Sequence, residues 1–285
     1  MVASNFCPSL MLSHIHGNAL ALNWSKAVEQ WTVRLLVKHL VRDGESVLVV
    51  SLDGEVDESD IRPLFLGIEK AKVQIVTWRS DGPPYVADPF DVGSFSAVCT
   101  FSNLQEIFES IHRVDAFLDF ASSALRVGGY LFGTTTDSSA LWTLAQKEIE
   151  IRGNQKRRGH SGVFKDDIRV RKGLFEMYLP SGENFKTVGT ECVIRYKNDG
   201  AAFLVDKTEY LVHFPTLVEM AKRSDLQMLQ IDNFREFYED HRKVSQDLLN
   251  SVLSDFQAEK SAPSAHAYEV ISLLTTFTFL KNQPC

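Results

Sequence analysis

Apolar residues in the first half of this chain alternate between helical stripes and short unbroken runs. In SKAVEQWTVRLLVKHLVRDG, 25–44, Val28, Trp31, Leu35, Leu36 and Leu40 recur at helical spacing, and the segment ends on Gly44. SVLVV, 46–50, is an apolar run bounded by turn residues, which predicts a buried strand. DIRPLFLGIEKAK, 60–72, predicts a short helix and VQIVTW, 73–78, a second strand, followed by the turn DGPPY, 81–85. FSAVCTF, 95–101, reads as a third strand. A helical pattern then runs from Leu104 to Arg126 and stops at Gly128 and Gly129. YLFGTTT, 130–136, is a fourth strand, and Asp137 or Ser138 caps a helix through about Ile151. Strands alternating with helices argue a mostly parallel sheet with helices on both faces.

The pattern changes after residue 151. RGNQKRRGHSGVFKDDIRVRK, 152–172, holds eight Lys and Arg against two Asp. Strand-like runs follow near 174–179, 190–197 and 203–213, which predicts an inserted antiparallel section. A helix at 214–223, a strand at 226–231, a long polar helix at 234–257 and the Thr- and Phe-rich strand EVISLLTTFTFLK, 269–281, complete the chain. No stretch reads as an interdomain linker. The expected organisation is an N-terminal segment, 1–22, followed by one domain over 23–285, with the basic loop and antiparallel insertion at 152–215.

Composition changes this picture little, but charge changes it more. With 44% hydrophobic and 24% charged residues the chain is ordinary for a globular protein. No apolar window approaches the length of a membrane span, and the N-terminus lacks the basic n-region of a targeting peptide. Cys7, Cys99, Cys192 and Cys285 are scattered without metal-ligand spacing, and read as reduced thiols of a nuclear or cytoplasmic protein. His14 and His16 have no third ligand nearby in sequence, so an ordinary segment is favoured over a metal site. The net charge of −7 is uneven: residues 1–150 carry 11 Lys and Arg against 19 Asp and Glu, and residues 151–285 carry 19 against 18. A polyanion would therefore meet mainly the second half.

A parallel sheet binds ligands beyond the carboxyl ends of its strands. After the first strand, nucleoside-binding proteins place glycines that let backbone N–H groups approach closely. Here Ser51, Leu52, Asp53, Gly54, Glu55 and Val56 fill that turn. Two like charges ~4 Å apart cost about 4 kcal/mol at an effective dielectric of ~20, so the acidic turn opposes an anionic ligand tail. The plainer reading, a solvated acidic turn, is favoured. The second strand ends in Thr77, Trp78 and Arg79, where ribose-binding proteins put an acid. Asp88 in YVADP could face an adenine amino group or simply initiate a turn before Pro89. The basic segment could touch phosphates. Its one aromatic, Phe164, gives no stacking platform for sequence-specific RNA recognition, and a solvated loop accounts for it as well. Signatures of a catalytic nucleophile or a Walker loop are absent from the sequence.

Several stretches together resemble one family. They are GGYLFGTTTDSSALW (128–142), TEYLVHFPTLVEMAKRSDLQMLQIDNFREFYEDHR (208–242), EVISLLTTFTFLK (269–281) and, more weakly, ALNWSKAV (21–28). In order and spacing they resemble the eukaryotic messenger-RNA cap guanine-N7 methyltransferases, and most of all a second, divergent plant-type group. The segment from Glu209 to Pro215, Glu-x-Leu-Val-x-Phe-Pro, is the most specific part. The resemblance implies a class I methyltransferase fold, S-adenosylmethionine as methyl donor if the chain is active, and a guanine cap as acceptor. It implies that Lys26 meets the donor's carboxylate and that Asp88 lies near its adenine. The family's Asp-x-Gly-x-Gly loop falls on Val49, Ser51 and Asp53, and its ribose acid falls near Thr77. On the acceptor side Glu209 matches the glutamate that reads the guanine edge. The family's His-Tyr pair falls on Gln105 and Glu106, and its late tyrosine on Leu274. The scaffold motifs are kept while the donor loop is degenerate. That points to a pseudoenzyme acting as a binding, regulatory or structural subunit of a larger RNA-related complex. Its expected partners are capped RNA or RNA-processing proteins, met through Arg152–Lys172.

Overall fold

The computed structural model describes residues 46–52, 73–78, 85–86, 92–101, 104–157, 168–172, 175–179, 185–196, 206–241, 243 and 272–283. The predicted helices at 25–44 and 60–72, and the distal part of 234–257, lie outside these residues.

Seven strands form one sheet: β1 (Val47–Leu52), β2 (Val73–Trp78), β3 (Tyr85–Val86), β4 (Phe95–Phe101), β5 (Leu125–Thr136), β10 (Leu226–Asn233) and β11 (Leu274–Lys281). Their order is β3-β2-β1-β4-β5-β11-β10. β2, β1, β4 and β5 run parallel, β11 enters antiparallel beside β5, and β10 pairs antiparallel with β11. β3 adds two residue pairs antiparallel to β2. A parallel block flanked by one reversed strand inserted next to β5 is the class I methyltransferase arrangement that the resemblance implies. A second sheet, order β6-β7-β8-β9, is wholly antiparallel. Its strands are β6 (Ile168–Lys172), β7 (Phe175–Leu179), β8 (Glu191–Tyr196) and β9 (Asp206–Tyr210), where the sequence pattern placed an insertion.

The described helices are α1 (Leu104–Ile107), α2 (Ile111–Ala124), α3 (Ser138–Arg157), α4 (Phe214–Arg223) and α5 (Phe234–His241). Several boundaries depart from the sequence pattern: α3 continues to Arg157 and β5 begins at Leu125. The helix expected over 104–126 is two helices, because Ser110 is extended and its hydroxyl accepts from the Arg113 N–H as the N-cap of α2. Gly128 and Gly129 do not stop that helix; it ends at Ala124 and both glycines lie inside β5. Gly128 has φ +80°, and a side chain on Gly129 would meet the Ser96 carbonyl at 3.0 Å. β1 extends to Leu52, two residues beyond the apolar run that predicted it.

The described residues form two apolar clusters. Leu48, Val50, Val76, Val98, Leu131, Phe277 and Phe279 pack with residues of α1, α2 and α4 such as Ile107, Phe117, Leu118 and Met220. Leu141 and Ala145 of α3 pack against Ile168, Val170, Met177, Leu179, Cys192 and Ile194 of the antiparallel sheet. Burying such side chains contributes about 1.5–3 kcal/mol each.

Gly133 marks the tightest contact between strands. A Cβ there would stand 1.9 Å from the Thr100 carbonyl oxygen and 2.8 Å from Phe277 Cζ. Gly133→Ala should lower the unfolding free energy by at least about 3 kcal/mol, at the upper end of overpacking costs. Gly153, in α3 with open space around it, should tolerate alanine with a gain of about 0.5–1 kcal/mol. Denaturant melts of the two variants compare them directly, and a Gly133→Ala protein as stable as the parent would contradict this packing.

Candidate functional site

The carboxyl ends of β1, β2, β4 and β5 share one edge of the sheet because these strands are parallel. The β1–β2 register continues without a break through Ser51↔Thr77 and Leu52↔Trp78. The positions aligned with the donor loop and with the ribose acid are thus neighbours across two strands. Lys26, Asp53 and Asp88, with Glu55, lie outside the described residues, so their placement at this edge remains the expectation of the resemblance.

β4 and β5 bring buried polar groups to the same edge. Thr100 is fully buried near the end of β4, and Thr136 closes β5 almost as deeply. Neither Oγ1 has a hydrogen-bond partner among the described residues. An orphaned buried hydroxyl costs about 1–3 kcal/mol. Gln105, just after β4, is fully buried, and its Oε1 accepts from Thr135 Oγ1 at 3.1 Å. Leu274, aligned with the family's late tyrosine, stands opposite Thr136 in the register and is buried.

Glu209 is buried in β9, opposite Cys192 of β8. β9 packs against α1, so the structure brings the elements carrying Glu209 and Gln105 together. Burial pushes the Cys192 thiol well above its ordinary range, and the carboxylates of Glu209 and Glu191 push it further. The Tyr210 phenol is raised by burial and then by Glu109 and Glu191, against the opposing charge of Arg113.

A polar node closes this end of the fold. Asp137, rather than Ser138, caps α3: its Oδ1 accepts from the Ser139 and Ala140 N–H groups, each at 3.0 Å. Its Oδ2 accepts from Asn233 Nδ2 at 2.8 Å, and the same amide donates to the Ser272 carbonyl at 2.8 Å. The Asp137 N–H reaches the Leu273 carbonyl at 2.7 Å, and the Ser138 hydroxyl donates to the Val212 carbonyl. Strands β5, β10 and β11 and the chain leaving β9 are joined within a few residues.

Among the described side chains the edge offers two buried hydroxyls and one buried amide: Thr100, Thr136 and Gln105. These suit hydrogen bonding to a polar heterocycle. They do not supply the charged handles for a carboxylate, an ammonium or a ribose diol, so the described half of the edge does not by itself fit S-adenosylmethionine. No group of three or more metal-ligating side chains stands among the described residues. The pattern of the sequence missed Thr135, Thr136 and Asn233. The signal for the threonines was present in Gly-Thr-Thr-Thr, a polar run closing an apolar strand.

Residues 84–282 match the mRNA (guanine-N(7))-methyltransferase domain, well over half of the chain. The chain belongs to that family. It is 29% identical over 187 residues to mRNA cap guanine-N(7) methyltransferase 2 of Oryza sativa subsp. japonica, covering 66% of this chain and 52% of that protein. The protein of the same name from Arabidopsis thaliana is also 29% identical, with 66% and 51% covered. The chain spans about half the length of the curated relatives it matches. Among solved structures, an S-adenosylmethionine-dependent methyltransferase from Clostridium acetobutylicum overlays at a TM-score of 0.43 with 11% identity, covering 95% of this chain and 97% of that one. The cap-family match begins at residue 84, downstream of the stretch that aligns with the donor loop.

Two measurements test the site's energetics. Asp137→Ala should cost about 2 kcal/mol, the high end for a lost N-cap, because Asn233 loses its partner too; a cost near that of an exposed substitution would dismiss the node. Native Cys192 and Tyr210 hold their protons above the ordinary values of 9.0 and 10.0. The folded state thus binds more protons than the unfolded state at alkaline pH, and stability is intact below about pH 9 and falls as pH rises beyond it. Urea melts across that range should show the decline, and Cys192→Ala should flatten it; an unchanged slope in the variant would rule out the thiol's part.

Proposed function

We propose that this cap guanine-N7 methyltransferase-like chain has kept the family scaffold and works as a binding, regulatory or structural subunit of an RNA-related complex. Its expected place is nuclear or cytoplasmic, and its expected partners are capped RNA or RNA-processing proteins. The observation that carries the reading is β1, which continues as paired strand through Val49 and Ser51 to Leu52. In the family those positions serve a glycine loop, where the missing side chains let backbone N–H groups reach the donor. Here Val49 falls where the family has its Asp, Ser51 and Asp53 fall where it has its two glycines, Thr77 falls on the ribose acid's place across the register, and Glu55 adds a second acid. Apposing a carboxylate to the donor's own carboxylate costs about 4 kcal/mol at ~4 Å and an effective dielectric of ~20. That alone weakens binding about a thousandfold.

A second reading, an active divergent methyltransferase, is favoured by the buried Gln105 and Glu209 on elements that pack together. Guanine N7 carries a free lone pair, so this chemistry asks the protein to bind and orient rather than to abstract a proton. In this reading Glu209 holds the guanine edge, Gln105 borders it, and Lys26 and Asp88 hold the donor. S-adenosylmethionine would supply the methyl group.

Calorimetric titration with S-adenosylmethionine and with its demethylated product separates the two. The first reading expects no binding up to millimolar ligand. Micromolar binding that disappears in Lys26→Ala or Asp88→Ala would overturn it in favour of the second.

A further inference from the structure

Along the chain, the basic segment 152–172 has one aromatic residue; across the strands the pairing is different. β6, β7 and β8 turn Ile168, Val170, Met177, Leu179, Cys192 and Ile194 into the core on α3. By the two-residue period of a strand, Arg169, Arg171, Glu176, Tyr178, Val193 and Arg195 share the opposite face. Arg169 stands opposite Tyr178, and Glu176 stands between Arg171 and Arg195. The Arg169 and Arg195 guanidinium carbons lie 5.2 and 4.8 Å from the centre of the Tyr178 ring, and Arg195 Nη1 donates to the Tyr178 hydroxyl at 2.9 Å.

Glu176 organises the rest. Its side chain is 1% exposed, and its Oε1 accepts from Nε of both Arg169 and Arg171. One carboxylate thus fixes two guanidinium groups through one donor each, and each guanidinium has five N–H donors. The Arg169 and Arg171 side chains remain 39% and 63% exposed. Asp206 stands opposite Arg195 in the register, while Glu191 lies at the far end of β8, about 13 Å along at ~3.3 Å per residue. Arg169 and Arg195 over the Tyr178 ring, with Arg171 held beside them by Glu176, suit a ligand that offers both phosphates and flat bases, since guanidinium planes stack on bases and their N–H groups bind phosphate.

We infer that this outer face of the antiparallel sheet is a docking surface for single-stranded RNA, reading phosphates and base faces rather than the cap. The inference rests on the reading of the chain as RNA-related, and it assigns the RNA contact to three strands instead of to the basic segment alone. The surface lies on the side of that sheet opposite Glu209, which pairs with the inward-facing Cys192.

The test is fluorescence anisotropy of the full chain with a labelled, uncapped single-stranded RNA across a salt series. Log affinity against log salt falls by about 0.7 per phosphate contact for single strands. Arg171→Gln combined with Arg195→Gln, which leaves Glu176 its Arg169 partner, should weaken binding about tenfold at low salt and flatten the slope by about 1.4. Lys222→Gln combined with Arg223→Gln removes equal charge from the end of α4 and should change neither. If the arginine double variant melts early, the single variants each carry half of the slope change. RNA binding that is equal in the parent and the arginine variants, or lost equally in the α4 variant, overturns the docking surface. No RNA binding by the parent chain overturns the RNA-related reading itself.

Discussion

Strand β5 has to sit closer to β4 and β11 than a side chain allows, and the rest of the main sheet depends on that approach. At Gly133 the Thr100 carbonyl on one side and the Phe277 ring on the other occupy the volume that a Cβ would need. The contact seats β11 antiparallel beside the parallel block and gives Phe277 and Phe279 their place in the core under α2 and α4. Four residues beyond, just after the end of β5, stands Asp137, whose carboxylate starts α3 and holds Asn233 at the end of β10. The antiparallel sheet then packs on α3 through Leu141 and Ala145. One strand thus transmits its position to both layers.

On the proposed reading, that arrangement explains how a family scaffold persists beside a changed ligand edge. Gly133, Asp137 and the Phe-Pro start of α4 are required by packing and capping, whatever binds at the sheet's carboxyl end. The donor-loop positions are under no such requirement: Val49 and Ser51 pair as ordinary strand with β2 and need no ligand to stay there. Retention of the first set and replacement of the second follow from the two kinds of constraint.

Most strands and helices were legible in the sequence because their apolar runs are bounded by turn residues. VQIVTW and FSAVCTF coincide with β2 and β4, and the segment 214–223 coincides with α4. The misread boundaries share a cause. Gly128 and Gly129 look like a helix stop, yet they serve a strand that must pass close to Ser96. Ser110 breaks an apparently continuous helix through a cap that periodicity does not register. Gln105 and Glu209, the acceptor-side residues that the resemblance implies, are both buried, and polarity alone could not single them out, since a buried amide and a surface amide look the same in sequence. The hydroxyl of Thr135 on Gln105 is a contact of separation 30 that no local pattern carries.

The same limit applies to charge. Read linearly, the basic segment is a run of cations that water would solvate, and one phenylalanine adds nothing to it. Folding divides the run: its first residues end α3 and its last form β6, where Arg169 and Arg171 both meet Glu176 of the next strand and Arg169 shares the Tyr178 ring with Arg195 from the one after. A guanidinium held by a buried carboxylate and an aromatic ring has less rotamer freedom left to lose on binding than one on a free loop. Recognition chemistry in this chain therefore resides in cross-strand register, where a carboxylate that lowers the formal charge also makes the remaining donors better placed.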